Sequence, residues 1–280
     1  MKYSTGLLTI LTLTSTLFAT QASAQLVYEN NFQQYTPGDA PSGTDVFVKY
    51  NGRDGNLVYV VDSSTTPADP FGGVGNKSMY VHYDHTSSKT PAGQFTVTNT
   101  GAIAKGTISF DIYIDGDPTG TGLVEVNLGQ LGILDAVRAS SLTTIQIQTG
   151  SNPDNDPGKI RIFQNSASGG STAYYMDQFA VLDAVNTITL SWDIDTKKVT
   201  GTINGESMTI GSTSEFDFTT QLSPDGVSQV RYTSTGVQDV SYFVDNISAT
   251  AIPEPSHSVL ALGALLVLGI GYRRHRRSVR

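Results

Sequence analysis

The chain of 280 residues contains no cysteine. That excludes disulfides, thiolate zinc sites, iron–sulfur clusters and a cysteine nucleophile. Charge is sparse: Asp, Glu, Lys and Arg make up 15%, against about a quarter in ordinary globular chains. Long charged helices and coiled coils are therefore not expected. Basic residues are the scarcer sign, 17 Lys and Arg against 25 Asp and Glu for a formal charge of −8. Neutralising nucleic-acid phosphates needs clustered Lys and Arg, so nucleic acid is not an expected partner. No apolar run reaches the ~20 residues of a comfortable membrane span. There is one tryptophan, whereas the 28 glycines and 11 prolines punctuate short runs rich in Val, Ile, Thr, Tyr and Phe. That is the composition of an all-β chain, either one large domain or two.

The two ends read as addresses. After Met1 and Lys2 comes an apolar stretch from Leu7 to Ala19, and Ala22-Ser23-Ala24 precedes Gln25. One positive charge, a short apolar run and small residues before a break mark a secretory signal peptide over residues 1–24, cut by signal peptidase between Ala24 and Gln25. At the other end, Pro253-Glu254-Pro255 precedes an apolar run over Ser258–Tyr272, followed by Arg273, Arg274, Arg276 and Arg277. As a helix that run is about 22 Å long, short of a ~30 Å hydrocarbon core. The arginines stay on the cytoplasmic side and stop translocation. The body is then exported while the tail is held transiently in the inner membrane.

This tail resembles the PEP-CTERM sorting signal of Gram-negative bacteria, with all three parts in order over residues 251–280. The resemblance implies processing by an exosortase-type enzyme and delivery to the cell surface or extracellular matrix. Without its ends, the body over residues 25–252 keeps 11 Lys and Arg against 24 Asp and Glu, a charge of −13. Such a surface repels polyanions at low salt, which points to neutral or calcium-bridged glycans among polymers.

Short runs with two-residue alternation recur along the body. In Thr107–Ile114, Ile108, Phe110, Ile112 and Ile114 share one face; in Thr187–Asp193, Ile188, Leu190 and Trp192 do so. Period-2 patterning predicts strands with one buried face, and about a dozen of them predict an antiparallel β-sandwich. Trp192 is placed in the core. Asp195–Lys197 and Asn204-Gly205 predict two successive hairpin turns. Tyr174–Ala184 is the one segment read as helical.

Tyr28-Glu29-Asn30-Asn31-Phe32, the Trp192–Gly205 meander and the closing Phe243-Val244-Asp245-Asn246-Ile247 resemble concanavalin A-like, laminin G-like jelly rolls. The resemblance implies one domain over residues 25–250, with the last strand beside the first. Members bind glycans, bind proteins or cleave polysaccharides, so fold alone does not select the function.

Glycosidase chemistry needs two carboxylates flanking the bond. Laminarinase-like jelly rolls carry them in a Glu-x-Asp-x-x-Glu run, which is not found here. The pairs Asp193/Asp195 and Asp115/Asp117 read as turn-formers. Jelly-roll lyases need a His or Tyr base; His82 with Asp84 is the nearest arrangement, but the family's Gln-x-His and Tyr-x-Lys motifs are missing. Asn152, Asp154 and Asp156 space oxygens like the start of a calcium loop, with Pro157 and Phe163 where glycine and glutamate belong. A structural calcium is the only cofactor considered. Tyr174 and Tyr175, beside Gly169-Gly170, are the expected exposed platform for a sugar ring. The expected function is non-catalytic interaction with extracellular polysaccharide. The alternatives are a polysaccharide-degrading enzyme with an unrecognised site and an adhesive, protein-binding module.

Overall fold

The structure, a computed structural model, describes residues 25–41, 45–49, 57–84, 94–116, 122–129, 143–150, 156–165, 171–217, 226–236 and 239–252. Residues 1–24 and 253–280, where a signal peptide and a sorting segment were expected, lie outside these residues. Leu26–Ala251 forms one compact unit. Its strands are β1 (Gln25–Asn30), β2 (Val46–Lys49), β3 (Leu57–Val61), β4 (Ser78–Tyr83), β5 (Gln94–Ile103), β6 (Lys105–Ile114), β7 (Gly122–Gly129) and β8 (Thr143–Gln148). They continue with β9 (Lys159–Asn165), β10 (Ser171–Phe179), β11 (Val185–Asp193), β12 (Lys198–Ile203), β13 (Glu206–Ser207), β14 (Phe216–Asp217), β15 (Val227–Gly236) and β16 (Val240–Ala251).

These strands form two antiparallel sheets. One runs β13-β12-β11-β6-β16-β4-β3, with β1 added to β16 and β14 to β12; the other runs β10-β9-β8-β7-β15-β5-β2. The fold is the all-β sandwich that the alternation implied, a jelly roll as the resemblance implied. The first and last strands pair, as the resemblance implied.

Alternation explains the core. Along β6 every second side chain is buried, and Ile108, Phe110, Ile112 and Ile114 enter the space between the sheets. From the facing sheet come Val124, Val126 and Leu128 of β7 with Ile145 and Ile147 of β8. Tyr232 meets Phe110 edge-on at 5.3 Å across that space. Trp192 is buried, as predicted, and its indole N–H donates to the Ile103 carbonyl at 2.8 Å. The Asp193 carboxylate accepts from the amides of Asp195 and Thr196, so it is the turn-former expected. Asn204 and Gly205 take φ of 51° and 84°, the paired left-handed conformation a two-residue hairpin requires.

One expectation is overturned. Among the described residues there is no helix, and the Tyr174–Ala184 segment read as helical begins within strand β10. Its side chains obey period 2. Tyr174 packs on Phe216 with ring centroids 6.0 Å apart, Met176 is fully buried, and Tyr175 between them is exposed. The spacing of two between Tyr174 and Met176 is the strand period, and pairing with β9 fixes the extended form.

A second, smaller apolar cluster lies outside the main core. Val61, Tyr80 and Phe243 pack with Tyr59, Phe71 and Tyr113 on the other face of the nine-stranded sheet. Residues 62–77 cross there, held by Asn76, whose side-chain amide donates to Asp69 and to Asp245, each at 3.0 Å.

Candidate functional site

The seven-stranded sheet has an unusual second face. Its strands put aliphatic residues into the core at alternate positions, and the intervening positions are polar but buried. Glu125, Asn127, Thr144, Gln146, Gln148, Gln229 and Thr233 are each 5% exposed or less. A solvent-washed sheet face would leave such groups open, and buried charges are rare unless partnered.

Antiparallel register aligns them. Tyr175 lies opposite Arg161, Arg161 opposite Gln146, Gln146 opposite Glu125, and Glu125 opposite Thr233. This row crosses β10, β9, β8, β7 and β15, about 19 Å at the spacing between neighbouring strands. A second row holds Ala173, Phe163, Thr144, Asn127, Arg231 and Thr96. Hydrogen bonds fix the middle of the face. Arg161 Nε donates to Gln146 Oε1, and Gln146 Nε2 donates to the Glu125 carboxylate. Thr144 Oγ1 donates to Asn127 Oδ1 at 2.8 Å. Asn127 Nδ2, fully buried, has no acceptor among the described residues. An unmet buried donor costs about 1–3 kcal/mol. On the core side, burial holds the Tyr242 hydroxyl well above its ordinary range, and the Glu125 charge adds to the effect.

The face has an aromatic border. Tyr175 is 41% exposed and Phe179 40%. The two tyrosines expected as a platform therefore separate: Tyr175 borders the polar face, while Tyr174 points to the core against Phe216.

The remaining candidates lie elsewhere. His82 is on the outer face of the other sheet. Its strand ends at Tyr83, and its Nδ1 sits 2.9 Å from Ser241 Oγ while the ring stacks on Tyr80. Nearby Asp115 is raised in pKa by burial and by Asp183, with His82 opposing. Of the calcium-like loop, Asn152 and Asp154 lie outside the described residues. Asp156 is exposed just before β9 and its carbonyl accepts from the Lys159 amide. Among the described residues no group of three or more His, Asp or Glu side chains could hold a metal ion.

Reading for acid pairs missed Glu125, Asn127, Gln146 and Arg161. The signal was nevertheless present. Glu125-Val126-Asn127-Leu128-Gly129-Gln130 keeps the spacing of the laminarinase-like run but puts amides in two of its three acid positions. Likewise Gln146 and Arg161 sit at the polar beats of strongly apolar strands. Among the side chains that β7, β8, β9 and β15 present on this face, Glu125 is the one carboxylate.

No family model matches the sequence, and no curated protein does. Among solved structures, a sialidase superposes with a TM-score of 0.52 at 11% identity over 82% of this chain, which spans only 19% of the sialidase. A Bacteroides ovatus GH16 protein for mixed linkage glucan, solved with a bound product, gives 0.51 at 12% identity over 79% of this chain and 99% of its own. A non-specific endo-β-1,3(4)-glucanase of family GH16 gives 0.51 at 13% identity, with coverage of 83% and 92%. At such identities the likeness is one of fold: the chain shares the jelly-roll sandwich of these proteins.

Proposed function

We propose that this protein is an exported, non-catalytic polysaccharide-binding module that reaches the cell surface or extracellular matrix by way of its PEP-CTERM-like tail. The observation that carries the binding reading is the buried polar face of the seven-stranded sheet. Its amides, hydroxyls and the Glu125 carboxylate stand in register but buried, and they back the groups open to a ligand, Tyr175 and Phe179 at the border with the half-buried Arg161 and Lys159. Amide-rich surfaces flanked by aromatic rings suit sugar hydroxyls and the apolar faces of sugar rings. The non-catalytic reading is supported by Glu125 being the one carboxylate that β7, β8, β9 and β15 present among the described residues, since glycoside hydrolysis ordinarily uses a carboxylate pair. The glucan hydrolases that share the fold make a glycan ligand a natural expectation.

The test is co-sedimentation of the full chain with a panel of polysaccharides, each supernatant assayed for reducing ends and unsaturated products. Binding without product is the expected result. Product release that Glu125→Gln abolishes would make the protein an enzyme. Absence of binding by a folded sample would leave a structural or protein-binding role.

A further inference from the structure

We infer that the glycan taken by this face carries carboxylates, and that Arg161 and Lys159 read them along the β9–β10 edge. This rests on the glycan-binding reading above and concerns the chemical class of the ligand.

The body is strongly acidic, so the placement of its few bases is informative. Elsewhere among the described residues they are mostly occupied. Lys105 pairs with Asp193 at 2.8 Å and Lys198 with Asp217 at 2.6 Å. Lys77 donates to the carbonyls of Gln33 and Tyr35. Lys197 sits in an exposed turn. The polar face instead carries Lys159, Arg161 and Arg231 with Glu125, while Asp177 at the β10 edge accepts from Thr209 Oγ1 and the Gly211 amide. It is therefore locally cationic on a molecule whose net charge is of the opposite sign.

Two of these bases are presented rather than consumed. Arg161 uses Nε on Gln146, and its guanidinium lies 5.0 Å from the Phe163 ring centre. No carboxylate among the described residues pairs with it, so the two terminal nitrogens remain as a fork. Such a fork matches a carboxylate in two parallel hydrogen bonds. The Lys159 ammonium lies 4.4 Å over the Phe179 ring, also without an acidic partner among the described residues. Each cation stands opposite an exposed aromatic, Arg161 opposite Tyr175 and Lys159 opposite Phe179. The two units follow one another along β9 about 7 Å apart. A sugar ring on the aromatic with its carboxylate on the cation satisfies both partners. A neutral sugar leaves the half-buried guanidinium stripped of water with nothing gained in return. The net charge of the body opposes the approach of a polyanion, but that repulsion decays over ~8 Å at physiological salt. The fork acts at contact.

The experiment compares binding of the full chain to polygalacturonate and alginate with binding to a neutral mixed-linkage glucan, all with chelator present to remove calcium bridging. The polyuronates are expected to bind more tightly. Arg161→Gln should weaken polyuronate binding about tenfold or more, in line with loss of a charge-assisted bidentate pair. Lys159→Gln should weaken it by a smaller factor, and Arg161→Lys should fall between Arg161→Gln and wild type because it keeps charge but loses the fork. Lys198→Gln, on the other sheet, should change nothing. Equal or tighter binding of the neutral glucan, or polyuronate binding unmoved in Arg161→Gln, overturns the carboxylate inference and leaves the glycan-binding reading intact. Failure of every polymer to bind overturns that reading itself. Circular dichroism of each variant separates lost contacts from lost folding.

Discussion

Gly158 sits where β8, β9 and the segment after β10 meet. Its amide donates to the Gln148 carbonyl at 2.8 Å, and its carbonyl accepts from the Ala180 amide at 2.9 Å. Its φ is +80°, and a Cβ there would lie 2.1 Å from the Ala180 carbonyl oxygen. Gly205 in the Asn-Gly hairpin has a similar φ of +84° with nothing within 4 Å of a Cβ. The pair separates two effects. Gly205→Ala should cost only the backbone strain of about 1–2 kcal/mol. Gly158→Ala adds a collision with a backbone atom that has no room to retreat, and should cost clearly more. Urea midpoints of the two variants measure the difference, and equal losses would mean that the Ala180 contact relaxes freely. Gly158 also sets where β9 starts, and so where Lys159 and Arg161 fall in the row.

At the scale of elements, the crossing of residues 62–77 over the outer face of the nine-stranded sheet depends on Asp245 of β16. This carboxylate is fully buried, accepting from Asn76 Nδ2 at 3.0 Å and from the Asn246 amide at 2.7 Å. Burial pushes its pKa from 3.8 up to about 6; the bonds from Asn76 and Asn246 oppose the rise, and Asp69 and Asp111 add to it. A folded pKa above the unfolded one means that the native state holds the proton more tightly. The resulting stabilisation is complete below pH 3.8 and is lost as pH rises to about 6. Asp115 of the same sheet is shifted in the same direction. Asp245→Asn should therefore flatten part, not all, of the fall in stability over that window. Denaturant midpoints at a series of pH values test this, and an unchanged slope would remove Asp245 from the account. Strand β10 shows the limit of reading elements alone. Read as helical by itself, the segment is extended because it pairs with β9, which puts Tyr174 and Met176 on one face and Tyr175 on the other. Strand β7 was legible as a strand, but Glu125 and Asn127 read as ordinary outward-facing polar residues. That their side is buried depends on tertiary packing.

For the whole molecule, the acidic body and the basic tail divide the labour proposed here. The tail directs the chain and the sandwich meets the polymer. Replacing Pro253-Glu254-Pro255 by three alanines should leave the protein in the inner-membrane fraction while its polysaccharide binding in detergent stays unchanged. Fractionation of the host cells checks the first part and co-sedimentation the second; normal delivery of the variant would mean that the motif is not the address. The charge of −13 was countable from the chain, and it pointed to neutral or calcium-bridged glycans. The placement of charge was not countable, because Lys159 and Arg161 of β9 share a sheet face with Arg231 of β15 only through register.

Most strands other than β10, the inward position of Trp192, the two hairpin turns and the sandwich architecture were legible in the chain alone. Each of these rests on interactions between near neighbours along the chain: alternation, turn dihedrals, side-chain size. The sandwich decided which polar residues share a face, which tyrosine of an adjacent pair is exposed, and which aspartate is buried. Those outcomes depend on how strands pair and what covers them, and a one-residue slip in any register would send every side chain on that strand to the opposite face.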